Sequence, residues 1–188
     1  MPWLRCDTGA AWLDLLATQS GAYGPAPRER LVDADSLAWW LDVEGLLPST
    51  APTEKDLPAA RALRDALRAV ALAVVRDQPI PAEPTATLNA PIPAEHAATL
   101  NDHLAADRPL TWPPHAPATT AEALGRVARA AVDTLTGDRR ADLHQCADTE
   151  CGLLFLDAGG RRRWCAADVC GVRNRVRSHR ERTRSPQQ

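Results

Sequence analysis

Four cysteines near the C-terminus constrain this chain more than any other feature. Cys146 and Cys151 are separated by four residues, as are Cys165 and Cys170, and thirteen residues lie between the pairs. A segment of about 40 residues cannot hold a fold by apolar burial alone. The spacing offers a remedy: two tight turns, each carrying two thiolates, can grip a tetrahedral zinc ion, which binds sulfur at about 2.3 Å. Metal binding contributes about 10–16 kcal/mol in comparable peptides, enough to decide the matter. Disulfides are the alternative. No apolar run reaches the roughly 18–20 residues that cross a bilayer, and no signal peptide is legible. A cytoplasmic setting is therefore expected, where thiols stay reduced and metal is favoured. His144 and His179 flank the cluster and read as surface or neighbouring residues, because four thiolates already suffice. Cys6 reads as an ordinary small apolar residue.

The segment between the pairs predicts a hairpin. Residues 153–156 (Leu-Leu-Phe-Leu) form an apolar strand, 157–160 a turn, and 161–164 (Arg-Arg-Arg-Trp) the returning strand. Residues 172–184 lack proline and are rich in helix formers. Knuckle, hairpin and helix together make a treble-clef-like module.

The first 140 residues read as mostly helical. One Phe, one Tyr and one Met leave a core of Leu, Val and Ala, with six Trp as bulk. Asp33 and Asp35 precede an apolar stretch that Gly45 can close. A longer helix starts near Asp56, tolerates Pro58 in its first turn, and repeats Ala60, Leu63, Leu67, Val70 and Val74 at helical spacing. Further helices are expected around 94–105 and 120–136; the second places Leu124, Val127, Ala131 and Leu135 on one side, with Gly137 at its end. Nine of sixteen prolines lie between Pro79 and Pro117, where loop and an edge strand at 110–112 are expected. The predicted class is α+β: a mainly helical N-terminal domain (1–140), a small zinc module (141–184) and a disordered tail (185–188).

Charge is divided unevenly. Residues 146–188 carry +4 and residues 1–145 carry −6. An acidic body with a basic tail implies a polyanion partner for the tail. Arg173, Arg177, Arg180 and Arg184 fall on one helical stripe, which Arg175 and Arg182 widen, and Arg161, Arg162 and Arg163 precede it. A stripe of like charge destabilises an isolated helix, and phosphates would relieve it. The bland alternative is a solvated face, or neutralisation of the thiolate cluster by Arg162, Arg163 and Arg173.

These residues carry a family resemblance. The pattern Cys146-x4-Cys151-Gly152-x2-Phe155-x-Asp157, then Arg162-Arg163-Trp164-Cys165, then Cys170-Gly171-x-Arg173 with Val176-Arg177-x-His179-Arg180, resembles the CGNR zinc finger. The body resembles the ABATE domain of stress-induced bacterial transcriptional regulators, through residues 11–18, residues 35–47 with Trp39-Trp40, residues 59–75, and residues 127–135. The resemblance implies a helical N-terminal domain, a zinc-binding C-terminal module and DNA binding. One departure is plain: Val172 replaces the signature asparagine, so an amide that could cap the helix or touch a base is missing. Asn174 is the nearest amide, on a different face.

The expected function is therefore a DNA-binding regulator, with duplex DNA as partner and a body that senses a small-molecule effector or forms a homodimer. Trp39, Trp40 and Trp112 are the candidate pocket, although core tryptophan is the commoner role. The alternative is a zinc-stiffened protein-interaction or RNA-binding module. No nucleophile elbow, phosphate loop, HExxH or redox C-x-x-C is present, so no enzyme is expected.

Overall fold

The body is built on three mutually packed helices, α1 (Ala11–Ala17), α3 (Leu57–Val75) and α4 (Thr120–Thr136). The computed structural model describes residues 4–78, 99, 102, 103 and 116–184. Leu63, Leu67, Val70 and Val74 of α3 are buried, as are Leu124, Val127, Ala131 and Leu135 of α4. The apolar periodicity thus selects the inward faces. Alanines 60, 66, 71, 123 and 128 are also buried, and their small side chains let the helices approach closely. Trp12 on α1 is fully buried and donates Nε1–H to Thr134 Oγ1 at 3.3 Å.

Helix α2 (Ala34–Val43) starts as its sequence predicts. Asp33 caps it, accepting from Ser36 N at 2.8 Å, and the Ser36 hydroxyl in return accepts from Asp33 N. Gly45 then adopts φ +67° just beyond the helix. Trp40 is fully buried in the core and Trp39 is half-buried against it. Neither lines the cleft described below, and Trp112 lies outside the described residues. Asp56 accepts from Thr53 rather than capping α3 through its own side chain.

Two short antiparallel ladders supply the β content. Strand β1 (Gln19–Ser20) pairs with β2 (Arg28–Glu29), and β3 (Leu143–Gln145) with β4 (Leu154–Leu156). The first hairpin is fastened by charge. Arg64 of α3 is 2% exposed and makes two 2.7 Å bonds to the Glu29 carboxylate, plus one to Thr18 Oγ1. Burial opposes the Glu29 charge, but Arg64 outweighs it and holds this carboxyl below its usual range.

The second ladder corrects the predicted hairpin. Strand β4 pairs backward with β3, and residues 161–164 form no strand. A strand of three arginines would alternate charge onto the apolar side of β4, all of which is buried. Instead Asp157 Oδ2 accepts Arg162 N at 2.7 Å and turns the chain away. The predicted edge strand at 110–112 lies outside the described residues. Of the predicted helix at 94–105, Thr99, Asp102 and His103 are described and helical. No helix among the described residues is long and apolar enough to cross a membrane.

A single core joins body and tail. Leu143, Leu154, Phe155 and the four C-terminal cysteines belong to the same buried cluster as Trp12 and Leu67. Leu156 N donates to Thr8 O at 3.0 Å across the junction.

Asp14 of α1 is buried there, accepting from Thr8 N and Thr8 Oγ1. Burial pushes its carboxyl from 3.8 up to about 6, although the Thr8 bonds act the other way. The folded chain then binds this proton more tightly than the unfolded chain. Stability from this group is fully present below the unfolded value and is lost as pH rises through the folded one. Thermal melts of Asp14→Asn should be flatter than the parent's between those two values; an equal slope would place the titration elsewhere. Burial, then Glu44, push the Cys6 thiol up to about 12, which keeps it protonated and inert.

Candidate metal centre

The β3–β4 hairpin carries the first cysteine pair in its turn. Cys146 follows β3, and its N–H bonds Leu153 O at 2.7 Å. Cys151 N and Gly152 N both donate to Asp148 O, which curls the loop so that both thiols face one side. The second pair brackets a wide turn, Ala167–Gly171, where Cys170 N and Gly171 N both bond Ala166 O. Helix α5 (Val172–Arg184) continues from it.

All four sulfurs lie within 4.8 Å of one another, and all four cysteines are buried. Cys165 Sγ is 3.6 Å from both Cys151 Sγ and Cys170 Sγ. Bonded sulfurs would be about 2.05 Å apart, so these thiols are free. A tetrahedron with 2.3 Å metal–sulfur bonds has edges of about 3.8 Å, which the cluster fits. Its chemistry asks for a cation as well. Hydrogen bonds from Cys151, Cys165 and Cys170 lower Cys146 far below an ordinary thiol. Hydrogen bonding to Cys146, first of all, raises Cys151 and Cys170 in turn. One thiolate forms readily, and four together need a metal to balance them.

Two glycines sit in tight places, and the first is required by shape. Gly152 has φ +59°, and a Cβ there would meet the Tyr23 ring at 2.3 Å. A Cβ on Gly171 would press Trp164 Cδ1 at 3.2 Å. The Cys-Gly pairs of the motif thus turn the chain and seat an aromatic ring beside each knuckle.

A family model described as "Putative stress-induced transcription regulator", ABATE, matches residues 9–138. The chain belongs to the ABATE family. A second model, the CGNR zinc finger, matches residues 143–183, so the cysteine cluster is the metal-binding element of that finger. No curated protein matches the chain.

Within this CGNR finger the arginines divide into two groups. Arg162 stacks on the Phe155 ring at 4.7 Å and donates to Cys165 O. Arg173 Nη1 donates to Asp148 Oδ2 at 2.8 Å. Arg177 reaches Asp148 Oδ1 at 3.5 Å and Glu150 Oε1 at 2.9 Å. These three hold the finger together. Arg161, Arg175, Arg180 and Arg182 are exposed and have no side-chain hydrogen bond or ion pair among the described residues. Arg163 is exposed too, 5.1 Å above the Trp164 ring. The Arg184 side chain is outside the described set. His144 Nε2 lies 3.3 Å from Asp157 O, away from the sulfurs.

Two functional residues escaped the sequence reading. Asp148 is fully buried and anchors α5 through both arginines. Its only sequence signal is an acid inside the first knuckle, facing an arginine-rich helix. Arg5 donates to Cys165 Sγ at 3.2 Å and to Cys165 O at 3.1 Å, from 160 residues away. Burial opposes its charge, but Asp7 and the Cys165 sulfur raise its pKa further. A guanidinium bonded to a coordinating sulfur offsets negative charge at the centre. Nothing in the local pattern around Arg5 announces this.

Asp148→Asn should cost about 1–3 kcal/mol, because a charge-assisted acceptor for two guanidiniums is lost at a buried site. Thermal unfolding of the metal-loaded chain measures it; a shift near zero would mean that α5 is held otherwise.

Proposed function

We propose that the chain is a DNA-binding regulator, not an enzyme, and that Cys146, Cys151, Cys165 and Cys170 hold a structural zinc ion. When bound, zinc would supply a closed four-thiolate centre with no open position for a substrate. Its work is to order the finger, set Asp148 under α5 and so fix which face of that helix looks outward.

The observation that carries this reading is the outward face itself. Val172, Val176, His179 and Thr183 recur at helical spacing, and all are exposed. At 100° per residue, Arg175 and Arg182 lie to one side of this strip and Arg180 to the other. A strip that opens with two valines and is flanked by free guanidiniums suits a helix lying in a major groove. Arginines reach phosphates on both walls, while valine methyls meet thymine methyls. Val172 then has a use that the signature asparagine lacks, as an apolar contact at the start of the helix.

The body is the part left to sense an effector or to dimerise, bringing two fingers to spaced half-sites. Binding of the metal-loaded chain to random duplex DNA across a salt series tests the proposal. Four to six phosphate contacts predict a log–log slope of about −3.6 to −5.4. A flat response, or no duplex binding at low salt, would favour the protein-interaction or RNA-binding alternative.

A further inference from the structure

A second cationic site lies apart from the outward face of α5, where the β1–β2 hairpin meets the zinc finger. Alternation along β2 sends Glu29 toward Arg64 and turns its neighbours Arg28 and Arg30 the other way. There they line a cleft of about 650 Å3. Arg5 and Arg173 line it too, as do Leu153 and Val169 of the finger. Four arginines thus line one space, and among the described residues Glu150 is the sole carboxylate on its walls.

Arg28 and Arg30 make no ion pair among the described residues. Arg28 is exposed and has no side-chain hydrogen bond or ion pair among the described residues. Arg30 Nη2 donates to Ser20 Oγ at 3.2 Å, but its Nε is buried with no partner. A charged group with a donor left unpaired is costly, so the protein alone leaves Arg30 incompletely satisfied. Arg5 and Arg173 are held in place by Asp7 and Asp148. They stand ready at the cleft rather than having to be ordered by the ligand.

We propose that this cleft binds a small phosphate-bearing anion, whose oxygens engage Arg28 and Arg30 and whose apolar part rests on Leu153 and Val169. Planar guanidiniums match phosphate oxygens two at a time. The mixed walls suit a phosphorylated metabolite better than a bare ion. Because one wall belongs to the body and the other to the finger, an occupant bonds to both. This site does not depend on whether α5 reads DNA.

Inorganic pyrophosphate is the test probe, titrated into the zinc-loaded full chain by calorimetry, with chloride at matched ionic strength as control. One saturable site per chain is expected, with Kd below about 1 mM. The double variant Arg28→Ala/Arg30→Ala should weaken it by about tenfold or more. Its unliganded melting temperature and duplex salt slope should match the parent's. Arg175→Ala/Arg182→Ala should leave pyrophosphate binding intact. Absence of saturation, or indifference to the Arg28 and Arg30 changes, would overturn the assignment. Equal loss in the α5 variant would do the same, by reducing it to general attraction. Competitive displacement by duplex DNA that requires Arg28 and Arg30 would make the cleft part of a DNA interface and also overturn it.

Discussion

Cys151→Ser should unfold the C-terminal finger and lower the melting temperature of the rest. Loss of one thiolate opens the four-sulfur centre, and metal binding in comparable peptides is worth about 10–16 kcal/mol, as much as the total stability of a typical domain. Helix α5 has little else to hold it. Its described side chains are largely exposed, and its anchor, Asp148, sits inside the first knuckle. The helices α1, α3 and α4 pack on one another and should persist, so far-UV ellipticity should fall by roughly the share of α5 alone. The body will nevertheless melt earlier, because Leu143, Leu154 and Phe155 share its core and would be exposed. A strong chelator should reproduce the result in the parent chain. An unaltered melt, or collapse of all helical signal at room temperature, would contradict this division of labour.

The triple variant Arg175→Ala/Arg180→Ala/Arg182→Ala should keep its metal and its melting temperature and lose most duplex affinity. These side chains have no partners among the described residues, so the fold loses nothing by their truncation. Each phosphate contact contributes about 0.9 to the salt slope, so the slope should shrink by about 2.7 and affinity near physiological salt should fall about a hundredfold. Arg173→Ala and Arg177→Ala should behave differently. Each strips Asp148 of a partner, so the primary loss is stability. If the triple variant binds with an unchanged slope, the outward face of α5 is not the DNA-contacting surface.

Much of this was legible from spacing. The cysteine pairs, with thirteen residues between them, announce a metal centre whatever the surrounding fold. The inward faces of α3 and α4 follow from apolar periodicity, and the start of α2 from Asp33, because helix signals are local. The strand partner of β4 is not local. Leu143–Gln145 is three residues long, too short for an alternation pattern to speak, and its pairing is set by closure of the knuckle between the strands. Helical period places Arg173, Arg177, Arg180 and Arg184 on one stripe, but it cannot say which part of that stripe turns inward. Asp148 decides that, by drawing Arg173 and Arg177 back onto the knuckle. Arg5 was beyond reach for a simpler reason: its contact with Cys165 spans 160 residues, and a single arginine has no periodicity.

The family models match an ABATE region at 9–138 and a CGNR finger at 143–183. The body's contribution is mechanical as well as topological. Strand β4 gives a hydrogen bond to the Thr8 carbonyl, and Arg5 bonds the Cys165 sulfur. Bonded contacts thus join body and finger, and the arginine-lined cleft lies across that same junction.

Elemental analysis of freshly purified chain, paired with a titration of accessible thiols, tests the central claim most directly. One zinc per chain, with four thiols that react only after chelation, is the expected result. Chain carrying no stoichiometric metal, its four cysteines oxidised or freely reactive while α5 stays folded, would contradict it.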